Sequence, residues 1–408
     1  MKLNKLSWLP AMTLSAMLPL QTIGQVGLDP GFSTGTGAED AVQTLAIQND
    51  GKIIAAGLFF NINGTANTIG IGRLNTNGAV DATFNAGTSV DFGISSAVVQ
   101  TNGKVIIGGG FTKYQGVSRN GIAGINTNGT LDTTFTPGTG VNDIINSVAL
   151  QSDGKAIIAG AFTTYNGTGR NGIARVNSDG SLDTTFDPGP SVDNLVRVVA
   201  MLPDGRVIIG GDFTTFNGVS RNRIACLNTN GTLDTSFNPG VGANGSIYSV
   251  AIQPNGKVIV AGSFTSIGGS PRSRIARLLP NGSLDSSFGA GTDSTVLALT
   301  LQTDGKVVLG GQFTSVNAAS NIRLARLLLT DASVSPVITN LVVTGGNTTL
   351  NWISSANKIY RVDYTPLVYP ANWTSLVPNV TATGNSASFT NNAPGTLQRF
   401  YRVALLPF

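Results

Sequence analysis

Residues 143–189 read DIINSVALQSDGKAIIAGAFTTYNGTGRNGIARVNSDGSLDTTFDPG. Short apolar stretches (IINSVALQ, KAIIAGAFTTY, GIARVN and SLDTTF) alternate here with tight turns that contain Asp-Gly at 153–154 and 179–180. Asp-Gly between apolar stretches is typical of β-hairpins, and no helical periodicity interrupts the pattern. The segment therefore predicts four antiparallel strands, the last of them short.

The same unit recurs along the chain. A turn triplet of Asp or Asn, Gly, and Lys or Arg occurs six times, and the gaps between its glycines are 52, 51, 51, 51 and 49 residues. A second motif, Leu/Val-Asp-x-x-Phe, also occurs six times, with its aromatic residue at Phe32, Phe84, Phe135, Phe186, Phe237 and Phe288. Self-similarity at this period predicts six copies of one all-β repeat.

The two ends of the array predict how the copies are arranged. The last repeat runs to residues 324–330 without a Leu-Asp-x-x-Phe motif, whereas an extra copy stands at the N-terminus as Leu28–Phe32. A ring explains this offset, because the N-terminal strand can complete the last repeat and leave no open edge. Four antiparallel strands are also the size of one propeller blade. We expect an all-β fold, a six-bladed β-propeller closed by the N-terminal strand.

The repeats resemble the delta-60 repeat family of bacterial secreted and surface proteins, as in LQSDGKAIIAGAFTTYNGTGRNGIARVNSDGSLDTTF at 150–186. The resemblance covers roughly residues 26–330 and implies a β-propeller and export, with no particular activity. From 335 to 408 the pattern changes, and alternation in TTLNWIS, KIYRVDYT and RFYRVAL predicts a small β-sandwich. This segment resembles the fibronectin type III-like modules of secreted bacterial proteins. The expected organisation is a signal peptide at 1–24, the propeller at 25–331 and the sandwich at 335–408.

The N-terminus has the composition of a signal peptide. Lys2 and Lys5 precede an apolar stretch from Leu6 to Leu20, and small residues near Gly24 suit cleavage. The stretch is short and interrupted by proline, so we expect no membrane span. The prediction is a monomer that is secreted, or retained at the cell surface.

Composition excludes several chemistries. The chain has no His, and Cys226 is its only Cys, which removes Ser-His-Asp and Cys-His catalysis and disulfides. Glu39 is the only Glu among 21 acidic residues, and such a preference for Asp favours turns over helices. With 11% charged residues and a net charge of +4, the chain has no basic stripe for nucleic acid.

Candidate ligand-binding residues lie on one face of the predicted ring. Residues that recur in every unit, including the Phe of the second strand and the Lys or Arg after the turn glycine, are interpreted as scaffold, with the Lys or Arg exposed to solvent. The other loops carry an acidic set that would surround the channel mouth: Asp40, Asp91, Asp143, Asp193 and Asp293, with Asn244 in the remaining repeat. A basic set lies further out: Arg119, Arg170, Arg221, Arg272 and Arg323. These residues either bind a cation or a polar ligand such as a sugar, or cap turns.

No cofactor or metal ligand set is predicted. Residues 177–183, NSDGSLD, superficially resemble a calcium loop, but they lack the terminal Glu, and hairpin chemistry explains them better. In the C-terminal segment Trp352 and Trp373 could stack on sugars, and at least one of them is expected in the core.

Three functions remain open on this basis. The favoured one is a non-catalytic extracellular binding or scaffold protein that recognises a glycan or a protein through its loop face. The second is an enzyme that acts on extracellular polysaccharide through Asp and Arg residues at the channel, since glycosidases need two carboxylates at a defined separation. The third is a structural role in adhesion at the cell surface.

Overall fold

The fold consists of β-strands and turns throughout the part of the chain that the structure describes. The structure is a computed structural model of the 408-residue chain; it describes residues 31–65, 68–88, 90–302, 304–328, 336, 338–344, 347–354, 358–366, 373–392 and 399–406. No helix occurs among them, and so none that could cross a membrane. The predicted signal peptide at 1–24 lies outside the described residues.

Six repeats each form a three-stranded antiparallel sheet in which the second strand is central. The first strands are Val42–Ile47, Ile94–Val99, Ile145–Leu150, Val196–Met201, Ile247–Ile252 and Val296–Leu301. The second strands are Ile53–Gly57, Val105–Gly109, Ala156–Gly160, Val207–Gly211, Val258–Gly262 and Val307–Gly311. The third strands are Ile71–Leu74, Ile122–Ile125, Ile173–Val176, Ile224–Leu227, Ile275–Leu278 and Leu324–Leu327.

A two-stranded loop hairpin follows the second strand in repeats two to six. These hairpins pair Lys113–Tyr114 with Val117–Ser118, Thr164–Tyr165 with Thr168–Gly169, Thr215–Phe216 with Val219–Ser220, Ser266–Ile267 with Ser270–Pro271, and Ser315–Val316 with Ala319–Ser320. The sequence predicted this segment as strand and loop without the hairpin.

The predicted fourth strand is absent from the described repeats. In the third repeat only Leu182 bridges to Val176, after which the chain turns. The cause is Asp183, whose Oδ1 accepts hydrogen bonds from the N–H of Thr185 (2.9 Å) and from its hydroxyl (2.6 Å). An Asp that holds the backbone two residues ahead forms a turn, so the strand cannot continue.

Neighbouring repeats pack through their first strands. Ser96 Oγ accepts the N–H of Val148 at 3.0 Å, and Ser147 Oγ accepts that of Val199 at 3.2 Å, one repeat further on. Close approach is possible because small residues occupy the second strand: a Cβ added to Gly108 would lie 2.6 Å from Ile145 Cγ2. The predicted core phenylalanines are all buried, namely Phe111, Phe162, Phe213, Phe264 and Phe313.

The first and last repeats each expose apolar residues whose counterparts are buried between neighbouring repeats. Leu45 in the first strand of repeat one is 64% exposed, whereas the corresponding Val148 is 6% exposed. At the other end Leu324 is 57% exposed, against 0% for the corresponding Ile173. The described residues contain no hydrogen-bonded strand pair between the first and last repeats. The ring closure that the sequence predicts therefore stays a prediction.

The C-terminal segment forms two antiparallel sheets of three strands. One contains Ile338–Thr344, Asn347–Ile353 and Ser386–Asn392, and the other Thr374–Thr381, Ile359–Thr365 and Phe400–Leu405. Trp352 of the first sheet is fully buried and meets Tyr360 of the second, with ring centroids 5.8 Å apart. The expectation that one Trp lies in the core is confirmed.

Candidate binding face

The loop face is formed by two kinds of segment. One is the connector, the residues between the motif Phe and the next first strand, and the other is the loop between the second and third strands. Asp91 in a connector joins the two: its Oδ1 accepts the N–H groups of Thr112 (2.7 Å) and Lys113 (3.0 Å), and its Oδ2 accepts the Thr112 hydroxyl. Asp193 and Asp293 hold the corresponding groups in their own repeats.

Amides perform the same role in two repeats. Asn142 Oδ1 accepts the N–H groups of Thr163 (2.8 Å) and Thr164 (2.9 Å), while its Nδ2 donates to the Thr163 hydroxyl at 2.8 Å. Asn244 makes the same three contacts. The threonine hydroxyl can donate to Asp or accept from Asn. This position therefore requires a side-chain oxygen that accepts the two N–H groups, and does not require a negative charge. The structure thus shows that this position joins the connector to the loop, while ligand binding by its Asp residues stays a prediction.

Two members of the predicted acidic ring lie one residue further along the chain. Asp40 and Asp143 each accept the N–H of the next residue, at 2.6 and 2.7 Å, and do not bridge to the loop. Counting seven residues from the motif Phe places Glu39 and Asn142 at the bridging position in those repeats. The five Asp residues therefore occupy two different positions in the repeat and do not form one set.

The bridging carboxylates of Asp193 and Asp293 have pKa values below their usual range. Burial alone would raise the pKa of Asp193, but the hydrogen bonds from Thr214 and Thr215 outweigh it and hold the pKa at about 2. The hydroxyl of Thr314 and two N–H groups likewise lower the pKa of Asp293. A general acid or base works best with a pKa near the operating pH, so these carboxylates are poorly suited to that role.

The basic set is also anchored to the backbone. Arg119 donates its Nη1 to the carbonyl of Ser118 at 2.8 Å, and Arg170, Arg221 and Arg272 do the same to their preceding residues. The Nε atoms of these four residues are buried without a hydrogen-bond partner among the described residues. In the last repeat Asn321 takes this place, because its N–H donates to Thr314 O as that of Arg119 does to Thr112 O. Arg323, assigned to the set from sequence, lies two residues beyond.

The opposite face carries ion pairs, in which the motif Asp pairs with an Arg as its sequence allowed and also with a Lys that sequence reasoning missed. Lys155, predicted to be exposed to solvent, donates to Asp183 Oδ2 at 2.8 Å, and Arg175 Nε donates to the same oxygen at 2.7 Å. Lys52 and Lys104 make the same contact with the motif Asp of their repeats. A constant separation of 28 or 29 residues between this cation and the motif Asp was the available signal.

Residues 177–183 show hairpin chemistry. Asp179 Oδ1 accepts the N–H of Ser181 (2.9 Å) and its hydroxyl (2.7 Å), so this carboxylate already has two donors. In the described part of the chain, no three acidic or Cys side chains come together as a metal site would require. Calcium binding here stays without support.

The loop face presents apolar side chains and two cavities. Phe60 and Phe92 are 69% and 60% exposed, and Phe92 lies beside Ile144 against Gly110. A cavity of about 360 Å³ lies between repeats three and four and includes Asp193. A larger cavity of about 550 Å³ lies between repeats five and six and includes Arg272.

Comparison with known proteins gives similar folds at low identity. A gluconolactonase from Xanthomonas campestris is 14% identical with a TM-score of 0.41, over 67% of this chain and 84% of that one. An extracellular domain assigned to a one-component system of B. thetaiotaomicron is 13% identical with a TM-score of 0.39, over 89% of this chain and 47% of that one. A β-fructofuranosidase from Bombyx mori, solved with sucrose, is 10% identical with a TM-score of 0.30, over 90% of both chains. These values are too low to carry an argument about this chain.

The repeats themselves match a known family. Among curated proteins none matches the chain. A family model described as a domain of unknown function (DUF5122) beta-propeller matches all six repeats, at residues 48–84, 100–135, 151–186, 202–237, 253–288 and 302–331. These matches cover more than half of the 408 residues. The chain belongs to this beta-propeller repeat family.

Proposed function

We propose that the protein is a secreted, non-catalytic binding or scaffold protein that recognises its partner through the loop face. The observation that carries this is the apolar patch there: Leu58, Phe92 and Ile144 lie along successive connectors and loops and are at least 38% exposed. Burial would raise the pKa of Asp91, the residue before Phe92, but hydrogen bonds from Thr112 and Lys113 outweigh it and lower this pKa. Apolar side chains bordered by polar groups are typical of a recognition surface.

Three features of the sequence belong to the same proposal. Residues 1–24 direct export, the repeats are of the delta-60 type, and residues 335–408 form a fibronectin type III-like module. The six repeats close into a ring, which would bring all six connectors to one rim. The apolar outer faces around Leu45 and Leu324 support closure, because each resembles a surface that is buried between every other pair of repeats.

A glycan-array screen of the mature protein, with and without calcium, tests the proposed function. Aromatic and apolar side chains stack on sugar rings, so we expect Phe92→Ser to abolish specific binding. Asp193→Asn should retain binding, because Asn142 and Asn244 show that an amide fits this position. Turnover of a polysaccharide that disappears in Asp193→Asn would instead establish an enzyme and overturn the proposal.

A further inference from the structure

The cavity between repeats five and six exists where one connector is shorter than the others. The bridging Asp293 lies five positions after Phe288, whereas Asp193 lies seven positions after Phe186. Gly291 corresponds to Ser191, since each accepts the N–H of an Asn in the next repeat's loop, Asn317 and Asn217 respectively. The two missing residues therefore fall in the part that precedes Gly291, where Gly289 and Ala290 replace the four residues 187–190.

Arg272 beside the shorter connector lacks the acidic neighbour that Arg170 has beside the full-length connector of the third repeat. Arg170 Nη1 lies 3.7 Å from Asp187 Oδ1, the first residue of the full-length connector. Arg272 holds the position of Arg170 in the fifth repeat, two repeats further along the chain. The residue that corresponds to Asp187 there is Gly289. Arg272 lines the cavity, and the one hydrogen bond of its side chain in the described structure runs from Nη1 to the carbonyl of Pro271 at 2.8 Å.

Asn317 beside the shorter connector also lacks a contact that Asn217 makes beside a full-length one. In the full-length connector Asn217 Nδ2 donates to the carbonyl of Pro188 at 2.8 Å, while its Oδ1 accepts the N–H of Ser191. Asn317 retains the second contact, with the N–H of Gly291 at 2.9 Å. The counterpart of Pro188 is missing, so Asn317 Nδ2 has no partner among the described residues and lines the same cavity.

The charges of the cavity favour an anionic group. Compared with the junction between repeats three and four, the guanidinium of Arg272 lacks a carboxylate acceptor and the side-chain amide of Asn317 lacks a carbonyl acceptor. A second cation, Arg274, donates to the carbonyl of Thr292 in the cavity wall at 3.4 Å. Asp293 also lines the cavity, but its carboxylate is already occupied by the N–H groups of Thr314 and Ser315. A carboxylate is the group that a guanidinium binds best, with two parallel hydrogen bonds.

The size and the remaining lining point to a hydroxylated ring. A cavity of about 550 Å³ lies within the range of small-molecule sites. The hydroxyl-bearing side chains of Ser273, Ser286 and Ser315 line it, and they can both donate and accept. We propose that this cavity binds a uronate, a sugar whose carboxylate lies against Arg272 and Asn317 and whose hydroxyls meet the serines. This proposal deepens the proposed function, since it supplies a chemical class for the ligand of the loop face.

Titration calorimetry of the mature protein with sodium glucuronate and sodium galacturonate tests the proposal. Glucose tests whether the carboxylate is needed, acetate tests whether the ring is needed, and an oligogalacturonide distinguishes a polymer-borne uronate from the free sugar. We expect binding of at least one uronate and no binding of glucose or acetate. Equal binding of glucose would overturn the proposal, and so would no binding of either uronate at millimolar concentration.

Four variants locate the binding in this cavity. Gly289→Asp restores the acid found at Asp187, and it should fold normally because a Cβ at Gly289 meets open space and its φ is not positive. It should weaken uronate binding at least tenfold, whereas Gly289→Asn, of similar size, should weaken it less. Arg272→Gln should weaken uronate binding about ten- to hundredfold, as expected for the loss of a charge-assisted hydrogen bond. Arg221→Gln alters the same position beside a full-length connector and should leave binding unchanged.

The outcomes separate this proposal from the broader one. Unchanged binding in Gly289→Asp, or equal losses in Arg221→Gln and Arg272→Gln, would refute the cavity as the site. Glycan-array binding that is lost in Phe92→Ser but retained in Gly289→Asp would keep the loop-face proposal and overturn this one.

Discussion

Replacing Asp29 by Asn tests whether the six repeats close into a ring. Asp29 belongs to the N-terminal Leu-Asp-x-x-Phe motif and lies outside the described residues, but the residues after it are placed as the ring requires. Ser33 N–H donates to Asn77 O at 2.8 Å, just as Asn85 N–H donates to Asn128 O at 2.7 Å at the next junction. Ser33, the residue after the N-terminal motif, therefore meets repeat one as Asn85, the residue after the next motif, meets repeat two.

The last repeat presents the cations that such a motif would meet. Lys306 corresponds to Lys155, and Arg326 to Arg175; the latter two contact Asp183 at 2.8 and 2.7 Å. In the described structure Lys306 pairs instead with its neighbour Asp304, and Arg326 is exposed. In a closed ring Asp29 would pair with both.

The magnitude follows from the third repeat, where the motif Asp is 4% exposed. Removing one partner of a buried pair costs about 3–5 kcal/mol. The Lys of the third-repeat pair is 31% exposed, so we take the lower end and expect Asp29→Asn to reduce the free energy of unfolding by about 3 kcal/mol. In an open array Asp29 lies at the surface, and the change should be within about 0.5 kcal/mol.

Urea unfolding at pH 7, followed by circular dichroism, is the suitable assay. The three Trp residues, Trp8, Trp352 and Trp373, all lie outside the repeats, so tryptophan fluorescence would not report on the unfolding of the repeats. Asp183→Asn serves as the positive control and Asp304→Asn as the surface control. Closure is refuted if Asp183→Asn is destabilised while Asp29→Asn unfolds like the wild type. A loss that depends on protein concentration would indicate that the motif pairs with a second copy.

Three further predictions concern the repeats. Gly108→Ala should cost about 1–3 kcal/mol in urea unfolding, because its Cβ would meet Ile145 at 2.6 Å, whereas Gly169→Ala, which meets open space, should cost little. The pKa of Asp285 would be raised by burial, but hydrogen bonds from a serine and a lysine hold it at about 2. Since this pKa lies below the unfolded value of about 3.9, its contribution to stability is present above pH 4 and lost as the pH falls towards 2, which acid titration by circular dichroism would show. Burial raises the pKa of Cys226 to about 12, so its thiol should react with a disulfide reagent only after unfolding; rapid reaction of the native protein would contradict this.

The repeat could be predicted from sequence because its strands and turns are local. Alternating apolar residues and Asp-Gly turns determine a hairpin within ten or twenty residues, and six copies average out the exceptions. The fourth strand was wrong for an equally local reason, since the side chain of Asp183 competes with the strand for the backbone of Thr185. A segment that turns at such an Asp has the same composition as one that ends a strand, so the difference is visible only in the structure.

Contacts across long separations were harder to predict. The pair between Lys155 and Asp183 joins residues 28 apart, and a Lys after a turn glycine has no local sign that distinguishes it from a solvated one. The acidic ring was predicted from residue type, and so it combined Asp91 with Asp143, which lies one position later in the repeat. Counting from the motif Phe would have separated the two, because the connector length is constant except in the fifth repeat.

The fifth connector shows where function should be sought in a chain of this kind. A residue that recurs along the repeats is explained by the sheet, the turn or the junction that it serves. Asp193 and Asn142, for example, each accept two equivalent backbone N–H groups in the loop of their own repeat. The departure in the fifth connector leaves further groups that the scaffold does not use. The gap of 49 residues was visible in the sequence, but its consequence was not: a shorter connector removes the acceptors of Arg272 and Asn317 and opens the space in which both lie. A ligand that supplies those acceptors would take the places that Asp187 and Pro188 fill at the junction between repeats three and four, which is why the carboxylate, and not the sugar ring alone, should determine affinity.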